Sequence, residues 1–139
     1  MKVVCDTNIF VDVLLKQKPF AVDSAKIMLL SSPNTWQIYL PASSVTDIFY
    51  IIASRTHSRD MAYQAVGRVL SIATICAVTQ AEVQEAYRRR EKDFEDCLLT
   101  VCAEYVQADF IITRDKKGFV NAKIPTMNPA DFLHSMEIE

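Results

Sequence analysis

The sequence predicts an α/β protein built on a central parallel sheet. Three observations carry this. Short apolar runs rich in β-branched residues alternate along the chain with longer stretches whose apolar residues recur at helical spacing. Strands separated in this way by helices pair in parallel, through right-handed crossovers. The third observation is the start of the chain, where Val3, Val4 and Cys5 form an apolar run too short for a helix and Asp6 ends it. Phe10, Val11, Val13, Leu14 and Leu15 follow at helical spacing, so Thr7 or Asn8 is expected to cap a helix there. An ionisable carboxylate thus stands where a buried strand hands over to a helix. In open parallel sheets that edge is where ligands bind.

The remaining elements follow in order. After a break at Pro19, residues 20–30 carry Ala21, Val22, Ala25, Ile27, Met28 and Leu29 at helical spacing. Ser31, Ser32, Pro33 and Asn34 make a turn. Ile38, Tyr39 and Leu40 form a second strand, ended by Pro41; Ser43 or Ser44 caps the next helix, with Asp47 near its first turn. A polar break over 55–60 leads into an amphipathic helix over 58–70, where Met61, Ala62, Ala65, Val66, Val69 and Leu70 share a face. Residues 74–78 read as a third strand and Thr79 as the cap of a helix over 80–90. The acidic stretch 91–96 opens a helix with the stripe Cys97, Leu98, Val101, Cys102 and Tyr105. Phe110, Ile111, Ile112 and Thr113 form a fourth strand, and 124–127 a short fifth one, placed at an edge by Pro125. Asn128 caps the last helix, with Pro129 at its first position and Asp131 in its first turn. No repeat, low-complexity segment or linker interrupts the pattern, so residues 1–139 read as a single domain.

Composition narrows the function classes. Half of the 139 residues are hydrophobic and 23% are charged, the balance of a globular chain able to bury a core. The formal net charge is −2, so contact with nucleic acid has to come from local basic patches. The longest apolar run, 48–53, is too short to span a bilayer, so no membrane partner is expected. Asp6 interrupts any N-terminal signal segment, and the expected location is the cytoplasm. Cys5, Cys76, Cys97 and Cys102 form no C-x-x-C pair, and His57 and His134 lie far from them in sequence. Reduced thiols packed as small hydrophobes are expected, not a zinc site.

The acids carry the chemistry. Asp6 and Asp115 each follow a buried strand, so a parallel sheet puts both at one edge. Asp47 and Asp96 lie near helix starts that face the same edge. Each also has a plainer role open to it: Asp115 as a turn residue, Asp47 and Asp96 as first-turn acids. Asp93 reads as a helix cap. Asp109 precedes the fourth strand, roughly 20 Å from Asp115 at the rise of a strand, and belongs to the opposite edge. Asp12, Asp23 and Asp60 lie on helices and read as solvated or capping. Clustered carboxylates resist ionising together, and a hard divalent cation removes that conflict. Acids around such an ion suit phosphodiester hydrolysis without a nucleophilic side chain. Three basic clusters, Arg88 to Arg90 with Lys92, Arg114 with Lys116 and Lys117, and Arg55 with Arg59, each read first as solvated surface. The first two flank the acids in sequence; Arg114 and Lys116 are the candidates for contact with a phosphate backbone. Tyr87 and Phe119 are assigned to packing rather than to base stacking.

Asp6-Thr7-Asn8 after an N-terminal strand, Asp47, Asp93-Phe94-Glu95-Asp96 and Thr113-Arg114-Asp115 together resemble the PIN domain, a family that includes the VapC-like toxins of bacterial toxin–antitoxin pairs. The resemblance runs from Met1 to about Leu133. It implies a three-layer α/β/α fold with about five parallel strands ordered 3-2-1-4-5, and a ribonuclease dependent on Mg²⁺ or Mn²⁺. It implies Asp6, Asp47, Asp96 and Asp115 as the catalytic and metal-binding acids, with Asn8 and Thr113 in support. The second acid of the family is more often Glu, so Asp47 departs from the pattern by one methylene. The implied partners are RNA, an antitoxin whose C-terminal segment enters the acidic groove, and a second copy in a homodimer. Two rival readings remain. An aspartate-based phosphatase of the haloacid-dehalogenase type wants an Asp where Asn8 stands. A catalytically decayed PIN-like module would bind RNA or a protein partner; the presence of all four acids argues against it.

Overall fold

Val3, Val4 and Cys5 have no exposed surface, because their strand is the middle one of five. The computed structural model describes residues 1–138. Its elements are β1 (Lys2–Cys5), α1 (Thr7–Leu14), α2 (Ala21–Leu29), β2 (Gln37–Pro41), α3 (Ala42–Thr56), α4 (Arg59–Ile72), β3 (Ala73–Cys76), α5 (Gln80–Arg89), α6 (Phe94–Tyr105), β4 (Phe110–Ile112), a 3-10 turn (Lys116–Phe119), β5 (Thr126–Met127) and α7 (Pro129–Ser135). The sheet order is β3-β2-β1-β4-β5 and every pairing is parallel, as expected. Val4 stands opposite Tyr39 on one side and Ile111 on the other.

Successive strand residues point to opposite faces, and both faces of this sheet are covered. Val3 and Cys5 join Ile9, Phe10, Ile48, Ile52, Val69 and Phe132 in the larger core, under α1, α3, α4 and α7. Val4 and Ile111 face the other way, onto Leu99 and Ala103 of α6 and onto Phe119. Helices on both faces make the three layers. Phe119 is thus a core residue, consistent with its assignment to packing. All four cysteines are free and buried, and burial pushes the Cys5 and Cys102 thiols up, the latter to about 12. Among the described residues no helix is long and apolar enough to cross a membrane.

Local chemistry moves several boundaries. Asp6, not Thr7 or Asn8, caps α1, since its extended backbone (φ −66°, ψ 156°) leaves it just outside the helix. Pro41 precedes α3 without a side-chain cap; Ser43 and Ser44 are already helical, and Asp47 falls in the second turn. α4 runs directly into β3, which ends at Cys76. Ser58, Thr79, Asp93 and Asn128 accept hydrogen bonds from the first turns of their helices. Asp109 lies at the far edge of the sheet, where its carboxylate accepts from the Lys2 N–H at 2.8 Å.

Trp36, just ahead of β2, holds three elements together. It is buried, its Nε1–H donates to the Ile27 carbonyl of α2 at 2.9 Å, and its ring meets Phe132 of α7 edge to face at 5.1 Å. Trp36→Phe removes the donor and part of the ring. It is expected to lower unfolding stability by about 1–2 kcal/mol in urea titration, with the far-ultraviolet dichroism of the native state unchanged.

Candidate functional site

β1 ends at Asp6, whose N–H still belongs to the sheet and donates to the Ile112 carbonyl at 2.9 Å. The side chain is buried and held from two directions. The Thr7 N–H donates to Oδ1 at 2.7 Å, and the Thr113 hydroxyl donates to Oδ2 at 2.9 Å. The Asn8 amide approaches Oδ2 at 3.4 Å. Thr113 follows β4 and is fully buried, so the ends of two adjacent strands are joined through one carboxylate. Burial pushes the Asp6 pKa up; the bonds from Thr113 and Thr7 pull it down; Asp93 and Asp115 push it up again, and the balance is upward. Thr113 also accepts from the Asp115 N–H at 3.2 Å, which sets the start of the following turn. There the Asp115 carboxylate accepts from the Lys117 N–H at 3.1 Å.

Two more acids come from the start of α6. Asp93 caps the helix by accepting from the Asp96 N–H at 2.9 Å, as expected of a cap. Its side chain also lines the cavity, where its charge raises the pKa values of Asp6 and Asp96. The Asp96 carboxyl is pushed up to about 7, first by burial and then by Asp6, Asp93, Glu95 and Asp115. It rests against Gly118: a Cβ placed there would lie 1.8 Å from Asp96 Oδ2. Glu95 stands in the same wall, raised by burial, by the charges of Asp47, Asp6 and Asp93, and by a hydrogen bond with Asp47 of α3. Sequence reasoning took Glu95 for a residue of a helix start and passed over Gly118. The signals were present: Glu95 inside the motif Asp93-Phe94-Glu95-Asp96, and Gly118 as one of only two glycines in the chain.

All four predicted acids therefore meet at one cavity of about 760 Å³, with Asp93 and Glu95 beside them. The available donors are hard oxygens. Besides the six carboxylates, Asn8 Oδ1 and Thr7 Oγ1 are buried without a partner. Such a set fits Mg²⁺ or Mn²⁺ and not a thiophilic metal. Among the described residues no three acids converge on one point as a closed metal cage.

The basic residues are arranged differently from expectation. Asp12, read as solvated or capping, is fully buried, because Arg114 reaches it with Nε at 2.5 Å and a second guanidinium nitrogen at 3.2 Å. The Arg114 guanidinium also lies over the Phe20 ring, 4.2 Å from its centroid. Arg114 lines the cavity with its charge committed to Asp12. Lys116 stands outside the cavity wall, 3.8 Å from Asp131 of α7. Arg88 is exposed and paired with Glu85, whereas Arg89, read as solvated, is 19% exposed and bridges Glu85 to Glu104 of α6.

Two outcomes follow from this geometry. Asp96, Glu95 and Asp6 keep their protons in the native state at pH values where the unfolded chain has lost them. Stability of the metal-free protein is therefore expected to fall as pH rises from about 4 through 7, where the Asp96 carboxyl ionises. Asp96→Asn is expected to flatten that slope and raise stability at pH 8, read from urea midpoints across pH in a chelator. Gly118→Ala is expected to displace the Asp96 carboxylate and to weaken Mn²⁺ binding about tenfold in calorimetric titration.

No curated protein matches the sequence. Solved structures share its fold. VapC20 of Mycobacterium tuberculosis, described as a sarcin–ricin loop cleaving toxin, superposes with a TM-score of 0.71 at 13% identity, over 86% of this chain and 94% of that one. VapBC2 of Rickettsia felis, solved on a fragment of its promoter DNA, gives 0.68 at 17% identity, over 92% and 98%. A toxin–antitoxin complex of Klebsiella pneumoniae gives 0.65 at 21% identity, over 91% and 97%. At these identities the likeness is one of fold. The family model of the PIN domain matches residues 2–117, which include Asp6, Asp47, Asp96 and Asp115, and the chain belongs to that family.

Proposed function

We propose that this PIN-domain protein is a divalent-metal-dependent endoribonuclease and the toxin of a toxin–antitoxin pair. The observation that carries the reading is the meeting of six carboxylates at the C-terminal edge of β1 and β4, with raised pKa values for three of them. Acids so placed oppose one another unless a cation joins them. Asp6, Asp47, Asp96 and Asp115 would hold Mg²⁺ or Mn²⁺, with Asn8 Oδ1 as a neutral oxygen beside them. A cation held there supplies an activated water and charge stabilisation for the leaving oxygen of a phosphodiester.

The chain's own residues do the positioning. Thr113 and the Thr7 N–H fix the Asp6 carboxylate in one orientation. Gly118 leaves room for Asp96 to lie beside the turn that carries Asp115. Asp96, pushed up by burial and by the surrounding acids, is a carboxyl whose ionisation a cation at this edge would favour. The antitoxin partner, the homodimer and the cytoplasmic location belong to the same proposal. Of these, the antitoxin partner draws support from fold neighbours solved as toxin–antitoxin complexes.

The test is cleavage of end-labelled RNA in Mg²⁺ and in Mn²⁺. Asp6→Asn and Asp96→Asn are each expected to reduce cleavage by about a thousandfold or more, with native circular dichroism. A chelator is expected to abolish cleavage in the unmutated protein. RNA cleavage that persists in these variants or in the chelator overturns the assignment; RNA bound but left intact by the unmutated protein favours the decayed binding module.

A further inference from the structure

Asp12 is the only acid within α1, and it has no exposed surface. A carboxylate so buried needs hydrogen bonds in place of water. The end of α1 supplies one donor. Lys16 takes the left-handed region (φ 53°), and the N–H groups of Lys16 and Gln17 turn back onto the carbonyls of Val13 and Asp12 at 3.2 and 2.8 Å. That turn brings the Gln17 side chain to the Asp12 carboxylate. Its amide, oriented so that the nitrogen donates to Asp12 Oδ1 at 2.8 Å, accepts from Arg55 Nη1 at 3.1 Å. The other donors are the two Arg114 nitrogens, with the Phe20 ring against the guanidinium.

Stability alone does not call for such a group. Well-packed apolar side chains of similar volume often serve as well as a buried ion pair. What the pair supplies is direction. Arg114 stands between Thr113, whose hydroxyl donates to Asp6, and Asp115. Two consecutive residues therefore grip α1, one at its N-cap and one at Asp12, six residues on and about 9 Å along the helix. A single contact leaves a segment free to pivot; two contacts that far apart fix its orientation. The segment needs fixing. β4 ends at Ile112 and the Thr113 N–H still donates to the Met127 carbonyl at 2.9 Å, but Asp115 stands past the sheet and is exposed. The far end of the same turn is held by the buried Phe119.

We propose that Asp12 and Arg114 are positioning residues: their pair, buttressed by Gln17, clamps the turn after β4 to α1 and so sets Asp115 beside Asp6. The inference rests on the nuclease reading for the use of Asp115, and it adds two residues that act on the cation through that carboxylate. It also gives Arg114 a role other than contact with a phosphate backbone.

The test uses the full chain and two readouts: amide hydrogen exchange in the metal-free protein and calorimetric titration with Mn²⁺. Arg114→Met alone leaves the Asp12 charge buried and unpaired, so the variant is the matched apolar pair, Asp12→Leu with Arg114→Met. Asp12→Asn, which keeps the shape and loses the charge, is run beside it. In both, the Asp115 and Lys117 amides are expected to exchange about tenfold faster while the amides of α6 keep their protection. Mn²⁺ affinity is expected to fall about tenfold. Trp36→Phe, which lowers stability from the opposite edge of the sheet, is the control and is expected to leave these two amides and Mn²⁺ affinity unchanged. Unaltered exchange at Asp115 and Lys117 in both variants overturns the proposal, as does unaltered Mn²⁺ affinity. An equal loss of Mn²⁺ affinity in Trp36→Phe also overturns it, because it marks general loosening of the fold. Cleavage of RNA is scored separately. Two readouts that respond, with no RNA cleaved by the unmutated protein, keep the clamp and remove the nuclease; cleavage with unresponsive readouts does the reverse.

Discussion

A carboxylate at the end of a buried central strand is the constraint on which the rest of the molecule turns. Asp6 cannot be fully solvated, because β1 is hydrogen-bonded on both sides and covered on both faces. A buried charge is tolerated only where hydrogen bonds replace water. The donors come from the two places the topology makes available: the first N–H of α1, and the hydroxyl of Thr113 at the end of the neighbouring strand. The second bond spans 107 positions in sequence, and it forms because β1 and β4 pair in register from Val3 to Cys5. Sheet topology and site geometry are therefore one requirement: a slip of that register by one residue would take Thr113 away from Asp6 and turn its side chain to the other face.

The same edge gathers charge that the fold alone would reject. Asp93 and Asp115 act as caps, and each accepts a backbone N–H of the turn it opens. Asp96 and Glu95 have no such compensation and sit upward of ordinary carboxylates. Both stand in the first turn of α6, where burial and the surrounding carboxylates raise them. Those acids are the ones whose ionisation a bound cation would favour most.

Much of this was readable in the residues, because the relevant signals are local. A β-branched run ended by an acid marks a strand and its carboxyl edge, and two such runs in a parallel sheet must deliver Asp6 and Asp115 to one place. The closing Asn128-Pro129 start and the Thr79 cap are equally local, and both stand where the pattern placed them. Asp12 escaped because its partner is 102 residues away; nothing around it in the helix distinguishes a buried ion pair from a solvated acid. Glu95 escaped because a first-turn acid has a sufficient local explanation. Gly118 escaped because its requirement is steric and comes from Asp96, on a different element. What was missed are contacts between distant segments, which only folded packing creates.

The division of labour in α3 follows from the same geometry. Its inner face supplies Ile48 and Ile52 to the core, so the stripe available to the cavity is fixed at Asp47, Tyr50, Ile51, Ser54 and Arg55. Tyr50 is left 69% exposed beside this cavity, with its ring edge to face against Phe49. The Asp12–Arg114 pair has a related consequence. By neutralising Arg114 inside the wall, Asp12 leaves Arg55 as the cation whose charge faces the cavity, at the end of the helix stripe away from Asp47. A buried pair that contributes little net stability compared with an apolar packing can still shape a field. Here it commits the Arg114 charge to Asp12 within the cavity wall.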